Sequence, residues 1–276
     1  MTPTTNTNTT TTTTTTPAPS SDIHVSHQQH VAIVEIRRPP HNYFDLALIR
    51  DLAFAFEAID ANPKLRSSVL CAQGTAFCAG ANFGQPGDPT GADSPRRINP
   101  IYLEALRLFA CAKPMVAAIH GPAIGGGLGL ALVADFRVSC PQARFAANFN
   151  RLGFHPGFGL SVTLPRLVGP QKAALLFYTG RRFDGSEALA MGLTDLLVPE
   201  PDQVRDAALA LATEIAASAP LAVQSTRESL RLGLLDQLRT AVARESVAQN
   251  REFLSEDFRE GVAAMAARRV PVFRGR

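Results

Sequence analysis

Three consecutive glycines, Gly125 to Gly127, separate the apolar run MVAAIH (115–120) from a second apolar segment that continues to about Val133. The first run reads as a buried strand, and the second has the character of a buried helix. Glycine at such a junction lets a ligand approach the main chain closely, which a β-carbon would obstruct. The unpaired amides at the start of the helix, with the positive end of its dipole, then face whatever occupies the loop. A second loop of small residues, GTAFCAGANF (74–83), follows another strand-like run, SSVLCAQ (67–73). Either loop alone is explained as a tight turn. Together they can bring one amide each onto a single oxygen that becomes negative during a reaction, which is the logic of an oxyanion hole.

The surrounding pattern is β/α. HVAIVEIRRPP (30–40) alternates like a strand and stops at Pro39 and Pro40. Asp45 can cap a helix whose buried face carries Ile49, Leu52, Phe56 and Ile59. Asn99 and Pro100 occupy the N-cap and first position of a helix through about Ala112. FRVSC (136–140) and RFAAN (144–148) are short strands, and the signals past Gly157 are almost wholly helical, with stretches near 170–179, 185–192, 202–218, 221–232, 235–252 and 256–268. The expected division is a Thr-rich disordered tail over 1–21, a β/α core over 22–200 and a helical region over 201–276. The tail has nothing apolar to offset the entropy of ordering.

Several function classes drop out on composition. A net charge of +3 with 18% charged residues is too mild for a nucleic-acid surface and suits a small anionic ligand. The four cysteines have neither C-x-x-C pairing nor histidines at zinc-finger spacing, so no metal is expected, and a reducing cytoplasm is the natural compartment. No apolar run of bilayer length is free of charge, Gly or Pro, so no membrane partner is expected. The glycines lack the G-x-G-x-x-G spacing of a dinucleotide fold, and no acidic residue follows at the required distance.

FCAGANF followed, about forty residues on, by AIHGPAIGGGLGLALVADFRV resembles the two signature loops of the crotonase superfamily, also called the enoyl-CoA hydratase/isomerase family. The likeness runs from about residue 28 to the end and takes in GRRFDGSEALAMGLTDLLVP (180–199) and SEDFREGVAAMAARRVPVFRGR (255–276). It implies an α/β fold, a crotonase-like spiral of ββα turns with a helical C-terminal region used for trimerisation, and a homotrimer or a hexamer built as a dimer of trimers. It also implies an acyl-CoA thioester substrate, with coenzyme A entering as part of that substrate and no separate cofactor. The oxyanion amides carry over onto Ala81 and Gly126. The nucleotide is expected along Ala79, Ala81, Asn82 and Phe83, with Met265 and Arg268 reaching it from the C-terminal helix.

The acid positions of the family do not carry over. Its two hydratase glutamates align with Gly129 and Phe149, the latter expected on the strand after RFAAN, and an aspartate used by some isomerases aligns with Gly157. A positioned acid or base supplies about 10²- to 10⁴-fold in rate, so ordinary hydration is disfavoured while enolate stabilisation by two amides stays available. His155, in LGFHPGFG (152–159), is the nearest replacement base, with Asn148 and Asn150 as groups that can orient it. Its bland alternative is a histidine packed in the loop wall. His120 is expected to shape a turn, and Cys78 to be a small buried hydrophobe. His41 and Tyr43 are placed near the acyl entrance, and Arg37 and Arg38 either attract phosphates or mark an exposed strand end. The rival to an enzyme is a non-catalytic acyl-CoA-binding or scaffold member of the same fold.

Overall fold

The computed structural model describes residues 22–82 and 98–276. The expected disordered tail over 1–21 and the nucleotide contact expected at Phe83 lie outside the described residues.

The described residues open with two antiparallel strands, β1 (Ile23–Gln28) and β2 (Val31–Ile36). A helix, α1 (Leu46–Ala61), carries the chain to β3 (Ser67–Ala72), which pairs parallel with β2. The Asp45 side chain accepts from the Leu48 amide at 2.9 Å, and Ile49, Leu52, Phe56 and Ile59 are all buried. β1 had no sequence signal of its own. Of its six residues only Ile23 is buried, because it is an edge strand: His24, Val25, His27 and Gln28 are exposed and Ser26 is half-buried.

Beyond the second described boundary, α2 (Pro100–Ala110) starts as expected, with the Asn99 side chain accepting from the Ile101 amide at 2.9 Å and Pro100 in the first turn. The chain then alternates between two sheets. β4 (Met115–Ile119) enters the main sheet and β5 (Ala123–Ile124) enters a smaller one. After the short helix α3 (Gly126–Ala131), β6 (Phe136–Ser139) returns to the main sheet and β7 (Arg144–Ala146) to the smaller one. α3 ends two residues before Val133, tightening into a turn in which the Val133 amide donates to Leu130.

The second half is less uniformly helical than its pattern suggests. α4 (Leu160–Val168) and α5 (Pro170–Thr179) are followed by β8 (Phe183–Asp184), α6 (Gly185–Met191) and β9 (Leu196–Leu197). Each of these strands is two residues long, too short for any periodicity to register. The main sheet has the order β1-β2-β3-β4-β6-β9 and the smaller one β5-β7-β8. This repeated excursion from one sheet to the other is the spiral of ββα turns.

Four helices complete the chain: α7 (Val204–Ala217), α8 (Pro220–Leu230), α9 (Leu234–Glu252) and α10 (Glu256–Ala266). α7 lies across β3, β4 and β6 with Ala208, Ala212 and Ala216 turned inward. Small side chains permit that close approach, and the Ser67 hydroxyl donates to the Ala212 carbonyl at 2.7 Å. Asp135 fastens α8, accepting from Arg227 at 2.9 Å and Arg231 at 3.0 Å. α9 packs on α2 and α4, and α10 on the 3-10 turn Asn148–Leu152. Among the described residues no single helix is long and apolar enough to cross a membrane.

Candidate active site

The two glycine-rich loops meet as a lattice of backbone contacts. Cys78 donates to the Pro122 carbonyl and accepts from the Ile124 amide, both at 3.0 Å. Ala79 donates to His41 at 2.9 Å, and Phe44 donates to Gly80 at 3.0 Å. Gly80, at φ +83°, is the contact point: a β-carbon there would lie 2.8 Å from the Ile124 oxygen and 3.6 Å from the Gly126 nitrogen. Gly126 is covered by the Phe44 ring, whose Cε1 lies 2.6 Å from where a β-carbon would stand, and a β-carbon on Gly127 would collide with the Cys78 carbonyl. The Gly125 amide is spent on Ala146 at 2.8 Å.

Gly80, the neighbour of Ala81, thus stands against the Ile124–Gly126 segment, and Ala81 itself bridges to Phe44, whose ring covers Gly126. Gly126 is the first residue of α3, so its amide has no intrahelical partner. Among the described residues neither the Ala81 nor the Gly126 N–H meets a protein acceptor. Ala79 and Asn82 flank the same loop.

Aromatic rings fill the positions at which the family's acids are expected. A β-carbon on Gly129 would sit 2.8 Å from Phe158 Cβ. Phe158 is fully buried and held at φ +63°, an unusual conformation for a bulky residue. Its ring lies 5.7 Å from Phe44 and 6.3 Å from Tyr102, so the three form one wall beginning at Gly126. Phe149 belongs to the 3-10 turn Asn148–Leu152 and not to a strand as expected, because Gly153, at φ +84°, closes that turn by donating to Asn150 at 3.2 Å. The Phe149 ring reaches within 3.8 Å of a β-carbon placed on Gly125 and packs edge-on against Phe154. At Gly157 a β-carbon would collide with the Tyr102 hydroxyl and lie 2.6 Å from Gln249 Nε2.

That hydroxyl is part of a polar clamp from α9. Tyr102 donates to Gln249 Oε1 at 2.8 Å, and Gln249 Nε2 donates to the His155 carbonyl at 2.7 Å. Glu245, buried, accepts from the Gly159 amide at 2.9 Å, the Ser161 amide at 3.1 Å and the Ser161 hydroxyl at 2.5 Å. Burial raises the Glu245 carboxyl above its ordinary range, and burial together with the Glu245 charge raises the Tyr102 phenol. Tyr102, Phe158, Glu245 and Gln249 carried no sequence signal, since their roles depend on α9 meeting the 155–161 loop.

The structure does not bring His155 to the two amides. Its backbone N–H donates to Glu252 at 2.6 Å, and Nδ1 donates to the Pro156 carbonyl at 2.6 Å. The side chain lines grooves shared with Ser161, Arg244, Arg251 and Glu252, away from the glycine loops. Asn148 does approach, with Oδ1 3.4 Å from a β-carbon on Gly125, whereas Asn150 lines the outer groove with His155.

The remaining candidates separate in the same way. His120 Nε2 bonds the Gly74 carbonyl at 3.0 Å, shaping the turn, and burial lowers its basicity. Cys78 is wholly buried, which pushes its thiol up to about 12, so no thiolate forms there. Arg37 and Arg38 are not open to phosphates: Arg37 pairs with Glu35 at 2.7 Å, and Arg38 pairs with Asp22 at 2.7 Å and Asp45 at 3.0 Å. The His41 and Tyr43 rings lie 5.4 Å apart beside the first loop. Met265, 46% exposed, lines a cavity that also includes Asn148, while Arg268 follows the end of α10 at φ +52° and is not part of that lining. Among the described residues no cluster of His, Cys, Asp or Glu is arranged to hold a metal.

A sequence profile of the enoyl-CoA hydratase/isomerase family matches residues 26–276. The chain belongs to that family. It is 33% identical over 249 residues to the putative enoyl-CoA hydratase/isomerase YngF of Bacillus subtilis, covering 90% of this chain and 95% of the relative. It is 34% identical over 263 residues to the enoyl-CoA hydratase EchA19 of Mycobacterium tuberculosis, covering 92% and 97%. Among solved structures, an enoyl-CoA hydratase/isomerase from Pseudoalteromonas atlantica superposes with a TM-score of 0.81 at 29% identity, over 92% of this chain and all of the other. The crotonase spiral expected from the two loops is therefore this protein's fold.

Proposed function

We propose that this protein acts on an acyl-CoA thioester, holding the thioester oxygen between the Ala81 and Gly126 amides and stabilising the enolate that forms from it. The observation that carries the reading is the contact of the two loops at Gly80, where a β-carbon would lie 2.8 Å from the Ile124 oxygen and 3.6 Å from the Gly126 nitrogen, with both amides free of protein acceptors among the described residues. Donors fixed in place before reaction stabilise developing charge without reorganising, and removal of one such donor commonly costs about 10²- to 10³-fold in rate.

Two-glutamate hydration is not the proposed chemistry. Phe158 and the Tyr102 hydroxyl occupy the space beside Gly129 and Gly157, and Phe149 stands at the third position. The wall next to the reacting carbons is aromatic, which favours a malonyl-type ester that supplies its own electron pair: the bond from the α-carbon to the carboxylate breaks, carbon dioxide leaves and the pair passes into the thioester enolate. Cleavage of a 3-oxo ester needs in addition a water added to the 3-carbonyl, so that the fragment leaves as a carboxylic acid. Proton transfer then falls to solvent or to a group other than His155. The assembly is a trimer or a dimer of trimers, supported by exposed Leu221 (81%), Leu232 (83%) and Leu254 (71%) in the helical region.

The test is turnover of a panel of CoA esters, including crotonyl, malonyl-type and 3-oxo esters. Turnover of a malonyl-type or 3-oxo ester with little crotonyl-CoA hydration is expected. Efficient crotonyl-CoA hydration contradicts the assignment of chemistry. Tight ester binding without turnover of any member, lost in Gly126→Pro, identifies a non-catalytic acyl-CoA-binding protein instead, a reading favoured by the filled acid positions.

A further inference from the structure

A half-enclosed cavity of about 260 Å³ lies between the 3-10 turn, the loop after α5 and the end of α10, and its walls carry Arg151, Arg181, Arg182 and Arg269 together with Asn148 and Met265. Arg269 is held by Glu260, at 2.5 and 2.7 Å. Among the described residues the other three guanidiniums have no carboxylate partner, and no acidic side chain lines the cavity. Four guanidiniums against one carboxylate leave three formal positive charges. α5 and α10 both end beside the cavity, and each helix C-terminus contributes a partial charge of about −0.5, so roughly one of the three is offset. A substantial positive charge is left in a concave site.

The local backbone holds this charge in place. α5 stops at Gly180, at φ +56°, and a β-carbon there would lie 2.6 Å from Arg151 Cγ and 3.3 Å from Asn148 Cα. The absent side chain lets the Arg151 stem lie flat across the helix end. The next two residues of the chain are Arg181 and Arg182, so the three guanidiniums come from two adjoining stretches of backbone.

We propose that this cavity is a binding site for a phosphate-bearing anion. Guanidiniums offer paired N–H groups that match phosphate oxygens two at a time, and several of them around one cavity suit a group carrying two or more negative charges. The volume falls below the ~300–1,000 Å³ of pockets that enclose a whole drug-sized ligand, so the occupant is one or two phosphoryl groups, either free or at the end of a larger molecule. Asn148 lines the cavity on one side and touches the Gly125 position on the other, so an occupied cavity adjoins the glycine loop.

The experiment is titration calorimetry of the full chain with inorganic pyrophosphate at low and moderate salt. Saturable binding is expected, weakening as salt rises, with at least a tenfold loss of affinity in Arg181→Ala/Arg182→Ala. No loss is expected in Arg166→Ala, which removes an exposed arginine elsewhere. Competition with coenzyme A separates the sources: independent binding of the anion is expected, and displacement by coenzyme A overturns the proposal by assigning these arginines to the acyl-CoA site itself. Absence of binding, or equal binding by the double variant with an unchanged melting curve, overturns the proposal. So does a change in sedimentation coefficient on making the double variant, which would make these arginines contacts between copies of the chain.

Discussion

The Tyr102 hydroxyl occupies the space that any side chain on Gly157 would enter, and it is held there by Gln249 of α9 at 2.8 Å. A position that in some relatives is expected to carry an acid is thus closed by a phenol delivered from a different helix. Replacing the glycine without moving the phenol overpacks a buried site, at a cost of about 1–3 kcal/mol. Gly157→Ala should lower the melting temperature by several degrees, and Tyr102→Phe should also destabilise by leaving Gln249 Oε1 without its donor. The double variant should lose less than the sum of the two, because removing the hydroxyl makes room for the methyl. Thermal melts of the four proteins measure the coupling, expected at about 0.5–3 kcal/mol.

Gly126 is constrained twice, by the oxyanion role proposed for its amide and by the Phe44 ring lying on its α-carbon. Gly126→Pro removes the N–H and also strikes Phe44, so it needs a control. In a Phe44→Ala background the steric conflict is relieved. Turnover in Phe44→Ala/Gly126→Pro should still fall about 10²- to 10³-fold below Phe44→Ala alone, with a smaller effect on ester binding. Steady-state kinetics on the best substrate of the CoA-ester panel provide the comparison. Equal rates in the two proteins contradict a role for the amide.

Glu245 and Asp45 should respond to pH in opposite senses. Burial raises the folded pKa of Glu245 above 4.5, so its stabilising contribution is fully present below that value and is lost as pH rises through the folded pKa. For Asp45, burial pushes upward, but the Leu48 amide and Arg38 together bring the folded pKa below 3.8. Its contribution is present above 3.8 and lost as pH falls through the folded pKa. Relative to Glu245→Gln, the wild type should gain stability as pH drops from neutrality towards 4.5. Relative to Asp45→Asn, it should lose stability only below about 3.8. Melting temperatures of the three proteins across pH 3–8 decide both signs.

Self-association is the expected fate of the exposed leucines of the helical region. Sedimentation velocity should give a species of three or six times the 29.5 kDa chain mass. Leu232→Glu, at a residue 83% exposed in the single chain, should shift that species towards monomer without altering the melting of the spiral core. A wild-type monomer at micromolar concentration contradicts the proposed assembly.

Much of the scaffold was legible because it rests on local chemistry. The caps at Asp45 and Asn99, the strand runs and the two small-residue loops are written in adjacent residues, and each stands where it was expected. Short or edge elements such as β1, β8 and β9 were not, since six or fewer residues with few buried positions leave no period to detect. The site divided similarly. That two small-residue loops can supply one amide each was readable in their composition, and the positions Ala81 and Gly126 came from the family resemblance, whereas the Tyr102–Gln249 pair joins residues 147 positions apart and exists only once α9 has packed. His155 drew attention because it is an imidazole beside a glycine turn, yet its ring nitrogen is bonded to the Pro156 carbonyl and its side chain faces the outer grooves.

In the proposed site a thioester oxygen is held by the Ala81 and Gly126 amides, and aromatic side chains close the positions where an acid is expected. A crystal structure with a non-reactive acyl-CoA analogue tests it directly. The acyl oxygen should lie within about 2.7–3.1 Å of both nitrogens, with Phe44, Phe158 and Tyr102 walling the adjacent carbons. An acyl oxygen bound elsewhere, or a carboxylate within hydrogen-bond reach of the reacting carbons, would contradict it.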